Sequence, residues 1–217
     1  MREIIPTVFA HNKKEFDERF AKLIKISKKI QIDFMDGKFV EARGLGLQDI
    51  PNLRKYRNEF EAHLMVKNPE DWISELKEKG FKKIIFHFES VMDINKISGI
   101  VSEIDSKRME PWIAFNPNTD FYEVVRTARE VYGLKGIMFM SVMPGREGQE
   151  IEVNTYRKIM NFKKEFPKIK VQVDGGVNDR TIDKLNGAGA DIANTGGFVA
   201  NAVNPREALE VLKKKFK

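Results

Sequence analysis

A chain of 217 residues with a formal charge of +6, from 38 Lys+Arg against 32 Asp+Glu spread along its length, suits one substantial core and lacks the concentrated basic arm of a nucleic-acid binder. Having no cysteine, it has neither disulfides nor thiolate metal sites, so any metal falls to His, Asp, Glu or neutral oxygens. No run approaches a membrane span, and the apolar stretch in MREIIPTVFAHNKKEFDERF meets charge too soon for a signal peptide, so a cytoplasmic location without a membrane partner is expected.

In chain order the strand candidates are EIIPTVFA, KIQIDFMDG, FEAHLMV, KKIIFHFES, EPWIAFN, LKGIMFMSV, KIKVQVDGG and ADIANTGG. Amphipathic helical segments lie between them, among them KKEFDERFAKLIKISKK, PEDWISELKEKG, DFYEVVRTAREVYG, VNTYRKIMNFKKEF and PREALEVLKKKFK. Alternation of this kind marks a parallel α/β sheet, and about eight such units favour a closed (β/α)8 TIM barrel over an open doubly wound sheet. Residues 1–217 are read as a single domain, because no linker or change of composition interrupts the series. In such a barrel the site lies at the C-terminal ends of the strands, and every second residue points inward.

That alternation places Gln31, Asp33 and Met35 on one face of the second strand, and Glu61, His63 and Met65 on one face of the third. His87 and Glu89 follow in the fourth, Gln172 and Asp174 in the seventh. A core would use Val, Ile or Leu at these positions, so acids and imidazoles converging on one mouth point to chemistry. Carboxylates with an imidazole can bind a divalent metal, and two carboxylates either side of a substrate can serve as acid and base. Some members stay ambiguous: Asp36, before Gly37, also fits a turn; His87 with Glu89 also fits a satisfied polar pair; Met35, Met65 and Met140 fit core packing as well as pocket lining. His11 reads as a surface or capping residue.

Three glycine-bearing loops follow the last strands: SVMPGREGQ with Gly145 and Gly148, VDGGVND with Gly175 and Gly176, and NTGGF with Gly196 and Gly197. Glycines let backbone N–H groups approach an anion, and the final βα loops of this fold recurrently form a phosphate site.

Taken together, PTVFA, IDFMDGKFV, AHLMVKNPE, FHFES, AFNPNT, MSVMPG, VDGGV and the closing TGG resemble the ribulose-phosphate 3-epimerase family over essentially the whole chain. The resemblance implies a ribulose-phosphate-binding type of barrel that inverts carbon 3 of a ketose phosphate, converting D-ribulose 5-phosphate to D-xylulose 5-phosphate through an enediolate. Asp33 and Asp174 would be the acid/base pair. Together with His63 they would ligate a divalent metal such as Zn, Fe, Mn or Co, with Gln31, in the place of a family histidine, as a weaker fourth ligand. Thr7 (in place of serine), Met35, Met65 and Met140 would line the substrate pocket, and the six loop glycines would hold the phosphate. A phosphorylated sugar is the expected partner and a homo-oligomer the expected assembly.

The chain departs from the family pattern at Lys38, Glu41, Ala42, Met143 and the Arg146–Gly148 stretch, all near the expected pocket. These departures keep two alternatives open: a ketohexose-phosphate epimerase, and a non-catalytic phosphosugar-binding paralogue. Decarboxylase-like relatives carry a D-x-K-x-x-D strand motif, whereas this chain reads D-x-x-D-G-K from Asp33.

Overall fold

The computed structural model describes residues 2–217. Eight parallel strands close in sequence order: β1 (Glu3–Val8), β2 (Lys29–Met35), β3 (Glu59–Met65), β4 (Lys83–His87), β5 (Glu110–Phe115), β6 (Gly136–Met140), β7 (Lys170–Asp174) and β8 (Ile192–Thr195), with β8 pairing back onto β1. This is the expected TIM barrel. The outer layer comprises α1 (Lys13–Leu23), α2 (Ile73–Lys79), α3 (Ile94–Ser106), α4 (Phe121–Glu130), α5 (Asn154–Glu165), α6 (Ile182–Ala188), α7 (Gly197–Ala200) and α8 (Pro205–Lys215). The sequence reading did not single out α3, α6 or α7. Of these α3 has the plainest period, burying Ile97, Ile100, Val101 and Ile104 on one stripe.

The helix boundaries follow local chemistry. The Asn12 side chain accepts from the Glu15 N–H and starts α1, so the cap is Asn12 and not the exposed His11 beside it. Gly80 ends α2 in the left-handed region at φ 104°, and Pro205 opens α8 where its missing N–H costs nothing.

One unit breaks the alternation. Between β2 and β3 there is no α-helix, only short 3-10 turns at Leu47–Asp49 and Leu53–Lys55. The segment carries Gly44, Gly46 and Pro51, which disfavour a continuous helix, and the buried side chains of Leu45, Leu47, Ile50 and Leu53 cover the barrel there instead.

The outward strand faces and the helices share the larger apolar core, whereas Ile5, Ile85, Trp112, Ala114, Met138, Met140 and Ile192 form a second cluster. Beside that cluster lies a polar group. Glu61 and Lys83 are 5% and 7% exposed and pair at 2.9 Å, and Lys83 Nζ sits 3.7 Å from the centre of the Trp112 ring. Burial pulls the Lys83 ammonium below its ordinary range against the attraction of Glu61. Lys83 also donates to Gln172 Oε1.

Removing one member of a buried pair strands the other. Lys83→Met is therefore expected to lower unfolding free energy by about 3–5 kcal/mol, and Glu61→Gln added to it should restore at least half of that loss. Urea denaturation of the two variants and the native chain checks this; a loss below about 1 kcal/mol in the single variant would mean that solvent reaches Glu61.

Candidate functional site

A cleft of about 820 Å³ opens over the C-terminal ends of the strands, lined by Thr7, His63, Met65 and Met140, by Asp33 and Asp174, and by all six expected loop glycines. Met35 is absent from this lining: it is buried and packs with Phe9 and Met65, against which Phe39, Val40 and Ala42 also rest. Thr7 pairs in register with Gln31, and its buried Oγ1 has no hydrogen-bond partner within the protein, which leaves it available to a ligand hydroxyl.

Asp33 at the end of β2 stands opposite His63 of β3 in the ladder, and closure of the barrel brings Asp174 of β7 to the same point. His63 Nδ1 lies 3.1 Å from Asp33 Oδ1 and 3.5 Å from Asp174 Oδ2. One ligand atom from each of the three residues lies within 4.8 Å of the others, and all three are buried. Burial first, and then the charge of Asp33, push Asp174 up to about 7. For His63 burial opposes protonation, but the hydrogen bond and charge of Asp33 outweigh it and raise the imidazole.

The protonation pattern around His63 follows from its neighbours. Glu89 accepts from the Asn116 N–H at 2.8 Å and from Thr119 Oγ1, and its other oxygen lies 3.3 Å from His87 Nδ1. An ionised carboxylate only accepts, so His87 Nδ1 carries a proton; neutral His87 then has an Nε2 lone pair, 3.0 Å from His63 Nε2, which donates to it. Burial lowers His87 and so favours the neutral ring. On neutral His63 this leaves the Nδ1 lone pair aimed at two carboxylates. Only a proton or a cation satisfies three such acceptors at once, so Asp33, His63 and Asp174 could hold a divalent metal. The face of His87 is covered by Phe39, with ring centres 4.8 Å apart.

Gln31 lies beside the cluster with its amide nitrogen forward, Nε2 being 2.9 Å from Asp33 Oδ1 and 2.5 Å from Asp174 Oδ2. Its oxygen, the atom expected to face a metal, points the other way. Asp36 is occupied in the local turn: it accepts from the N–H groups of Lys38, Phe39 and Lys67, which hold it below the usual carboxylate range in spite of partial burial. Glu89 lies just past the end of β4 in the 3-10 turn Phe88–Ser90, not in the strand.

The loop after β6 closes one side of the cleft. Gly175 and Gly176 adopt φ of 106° and 60°, and a Cβ on Gly176 would stand 2.7 Å from Ile151 Cγ1, so both the turn and the close approach of this loop need glycine. The same loop carries Glu147, which two hydrogen bonds of 2.9 Å tie to Arg19 of α1. A Cβ on Gly196 would lie 2.7 Å from Glu147 Oε1, so a carboxylate already occupies space beside the TGG turn. Sequence reading missed Arg19 and Glu147 because their meeting joins residues 128 positions apart. It also missed Asn194, although alternation along IANT would have placed that amide inward.

Residues 3–200 match the model of the Ribulose-phosphate 3 epimerase family. The chain belongs to that family. It is 31% identical over 186 residues to the cytoplasmic isoform of ribulose-phosphate 3-epimerase from Oryza sativa subsp. japonica, covering 85% of this chain and 81% of the relative. To the ribulose-phosphate 3-epimerase of Schizosaccharomyces pombe it is 27% identical over 216 residues, covering 97% and 92%. Among solved structures, 3-hexulose-6-phosphate synthase from Salmonella typhimurium superposes with a TM-score of 0.76 at 15% identity, covering 100% of this chain and 98% of the other, a likeness of fold alone. Among the described residues of this family member no helix is long and apolar enough to cross a membrane.

The crowding of charge at Asp174 has a stability consequence. A folded-state pKa near 7 against an ordinary 3.8 means that the folded protein holds a proton which the unfolded chain has released, so stability falls as pH rises from about 4 to about 7. Asp174→Asn is expected to remove that slope and raise stability at pH 8 by on the order of 2 kcal/mol. Melts in a chelating buffer at pH 5 and pH 6 check this, a window below the one in which His63, itself raised by Asp33, gives up its proton: the native chain should lose more ground between them than the variant.

Proposed function

We propose that the protein is a divalent-metal-dependent epimerase that inverts carbon 3 of a ketose phosphate, D-ribulose 5-phosphate to D-xylulose 5-phosphate being the preferred reaction. The observation that carries this reading is the meeting of two buried carboxylates, Asp33 and Asp174, with the Nδ1 of His63 in a member of an epimerase family. One aspartate, ionised, takes the proton from carbon 3, and the electrons of the broken C–H bond pass into the adjacent carbonyl to form an enediolate. The other, protonated, delivers its proton to the opposite face of the same carbon and the carbonyl reforms. The reverse reaction exchanges the two roles. A cation held by Asp33, His63 and Asp174 would supply positive charge next to the carbonyl and hydroxyl oxygens, worth several kcal/mol as negative charge develops.

The remaining lining suits the substrate. Thr7 Oγ1 offers a hydrogen bond to a sugar oxygen, Met65 and Met140 form apolar walls that exclude water from the reacting carbon, and backbone N–H groups of the Gly175–Gly176 and Gly196–Gly197 turns receive the phosphate. Glu147, paired with Arg19, sets a negative charge beside this turn that an entering phosphate would have to displace.

The deciding experiment incubates the protein with five- and six-carbon ketose phosphates in deuterated water, with and without Mn, Fe, Co or Zn. Deuterium is expected at carbon 3 of ribulose 5-phosphate in the presence of metal; exchange into a six-carbon ketose phosphate alone would move the substrate, and no exchange into any of them under every metal would defeat the epimerase reading. Asp33→Asn and Asp174→Asn should each reduce interconversion of ribulose 5-phosphate and xylulose 5-phosphate at least 10³-fold, on the order expected for loss of an acid/base group, while the chain stays folded.

Glu147→Gln tests the phosphate assignment separately. Removing the competing charge should let inorganic phosphate inhibit at several-fold lower concentration, whereas an unchanged inhibition constant would locate the anion elsewhere.

A further inference from the structure

The direction in which Gln31 presents its amide is fixed from the far side of the barrel interior. Lys83 only donates, so Gln172 must turn its Oε1 to it and its Nε2 away. That Nε2 lies 2.6 Å from Asn194 Oδ1 and 2.6 Å from Glu61 Oε1. With Asn194 Oδ1 receiving, its Nδ2 donates, and it reaches Gln31 Oε1 at 2.8 Å. Gln172 Nε2 is also 3.3 Å from that oxygen. The one side of Gln31 left to face Asp33 and Asp174 is its NH2, and each of its two protons finds a carboxylate. Reversing the amide would set its oxygen against two carboxylates and its NH2 against two other NH2 groups, turning its contacts from attractive to repulsive.

We propose that Gln31 is a positioning residue and not a metal ligand: it bridges Asp33 and Asp174 as a donor, in a sense imposed through Asn194 and Gln172 by Lys83, and the centre is held by three protein ligands. This deepens the epimerase reading and rests on it for its kinetic consequence. Burial of the carboxylates makes such a donor useful. It holds one oxygen of each acid in place and offsets part of their mutual repulsion, while leaving their remaining lone pairs and His63 Nδ1 for a cation. A side chain whose oxygen points away from the acids, towards the amides of Asn194 and Gln172, presents no acceptor to a metal between Asp33 and Asp174 unless the amide turns over.

Cobalt(II) provides the test, because its visible bands respond to the number and type of its ligands. Co2+ is titrated into the native protein, Gln31→Leu and Asn194→Ala, recording the spectrum, the binding stoichiometry, the melting temperature, and kcat and KM for exchange at carbon 3. Gln31→Leu is expected to bind one Co2+ with band positions unchanged, since no ligand has left the metal, and to lose about 10- to 100-fold in kcat with KM within about threefold. Asn194→Ala keeps Gln31 but loosens its orientation, and should lose kcat several-fold with KM unchanged. Bands that shift in Gln31→Leu would overturn the proposal by showing that the amide oxygen was a ligand, and native kcat in both variants would overturn the positioning role. Should Gln31→Leu not fold, native kcat in Asn194→Ala alone overturns the imposed orientation. A native protein that exchanges no proton with any ketose phosphate defeats the epimerase reading, while the spectral comparison still decides whether Gln31 is a ligand.

Discussion

Polar side chains inside a closed barrel have no bulk water to fall back on, and the structure depends on how they satisfy one another. The Glu61–Lys83 pair, the amides of Gln172, Asn194 and Gln31, and the carboxylates of Asp33 and Asp174 form one hydrogen-bonded series through the barrel interior. Its two ends have fixed chemistry, an ammonium that only donates and carboxylates that accept when ionised, so each amide between them has one favourable orientation. A neutral barrel of aliphatic layers would pack as well and would impose nothing on the site. Here the packing of the interior and the orientation of the acids are the same problem.

A second series reaches the cluster from another side. Thr119 and the Asn116 N–H hold Glu89, Glu89 sets the tautomer of His87, and His87 sets that of His63. The two series meet where Asp33, His63 and Asp174 all present acceptors, and this concentration of like groups is stabilising only when positive charge lies among them. The strain is local. It is carried by a barrel whose outward strand faces and helices share one large apolar core, so an unfavourable site costs stability without altering the fold.

The mouth combines a rigid and an adjustable half. Phe9, Met35 and Met65, backed by Phe39, Val40 and Ala42, make a packed apolar wall on the β1–β3 side. On the other side the loop after β6 is fastened by ion pairs, Arg19 with Glu147 and Arg146 with Glu41, the latter at 3.5 Å between largely exposed groups. Exposed pairs of that kind contribute little and exchange partners readily.

Much of the fold was legible in the chain because strand alternation and helical period are local. Gln31–Asp33–Met35 and Glu61–His63–Met65 declared their shared faces from spacing alone, and the barrel rule then put Asp33, His63 and Asp174 at one mouth. The missing helix after β2 was less legible, since Gly44, Gly46 and Pro51 weaken a helix without saying what covers the barrel instead. Which atom of Gln31 faces the acids was beyond reach. Residue type announces an amide at an inward position, but its orientation is decided by Asn194, 163 residues away, and by Gln172, 141 away, which meet it only because β8 closes onto β1. The same holds for Glu147 beside Gly196. Sequence determined which side chains point inward, because that depends on each strand's own two-residue period; closure of the barrel decided which of them touch and in what sense, because a hydrogen bond's direction is set by a partner that no local pattern contains.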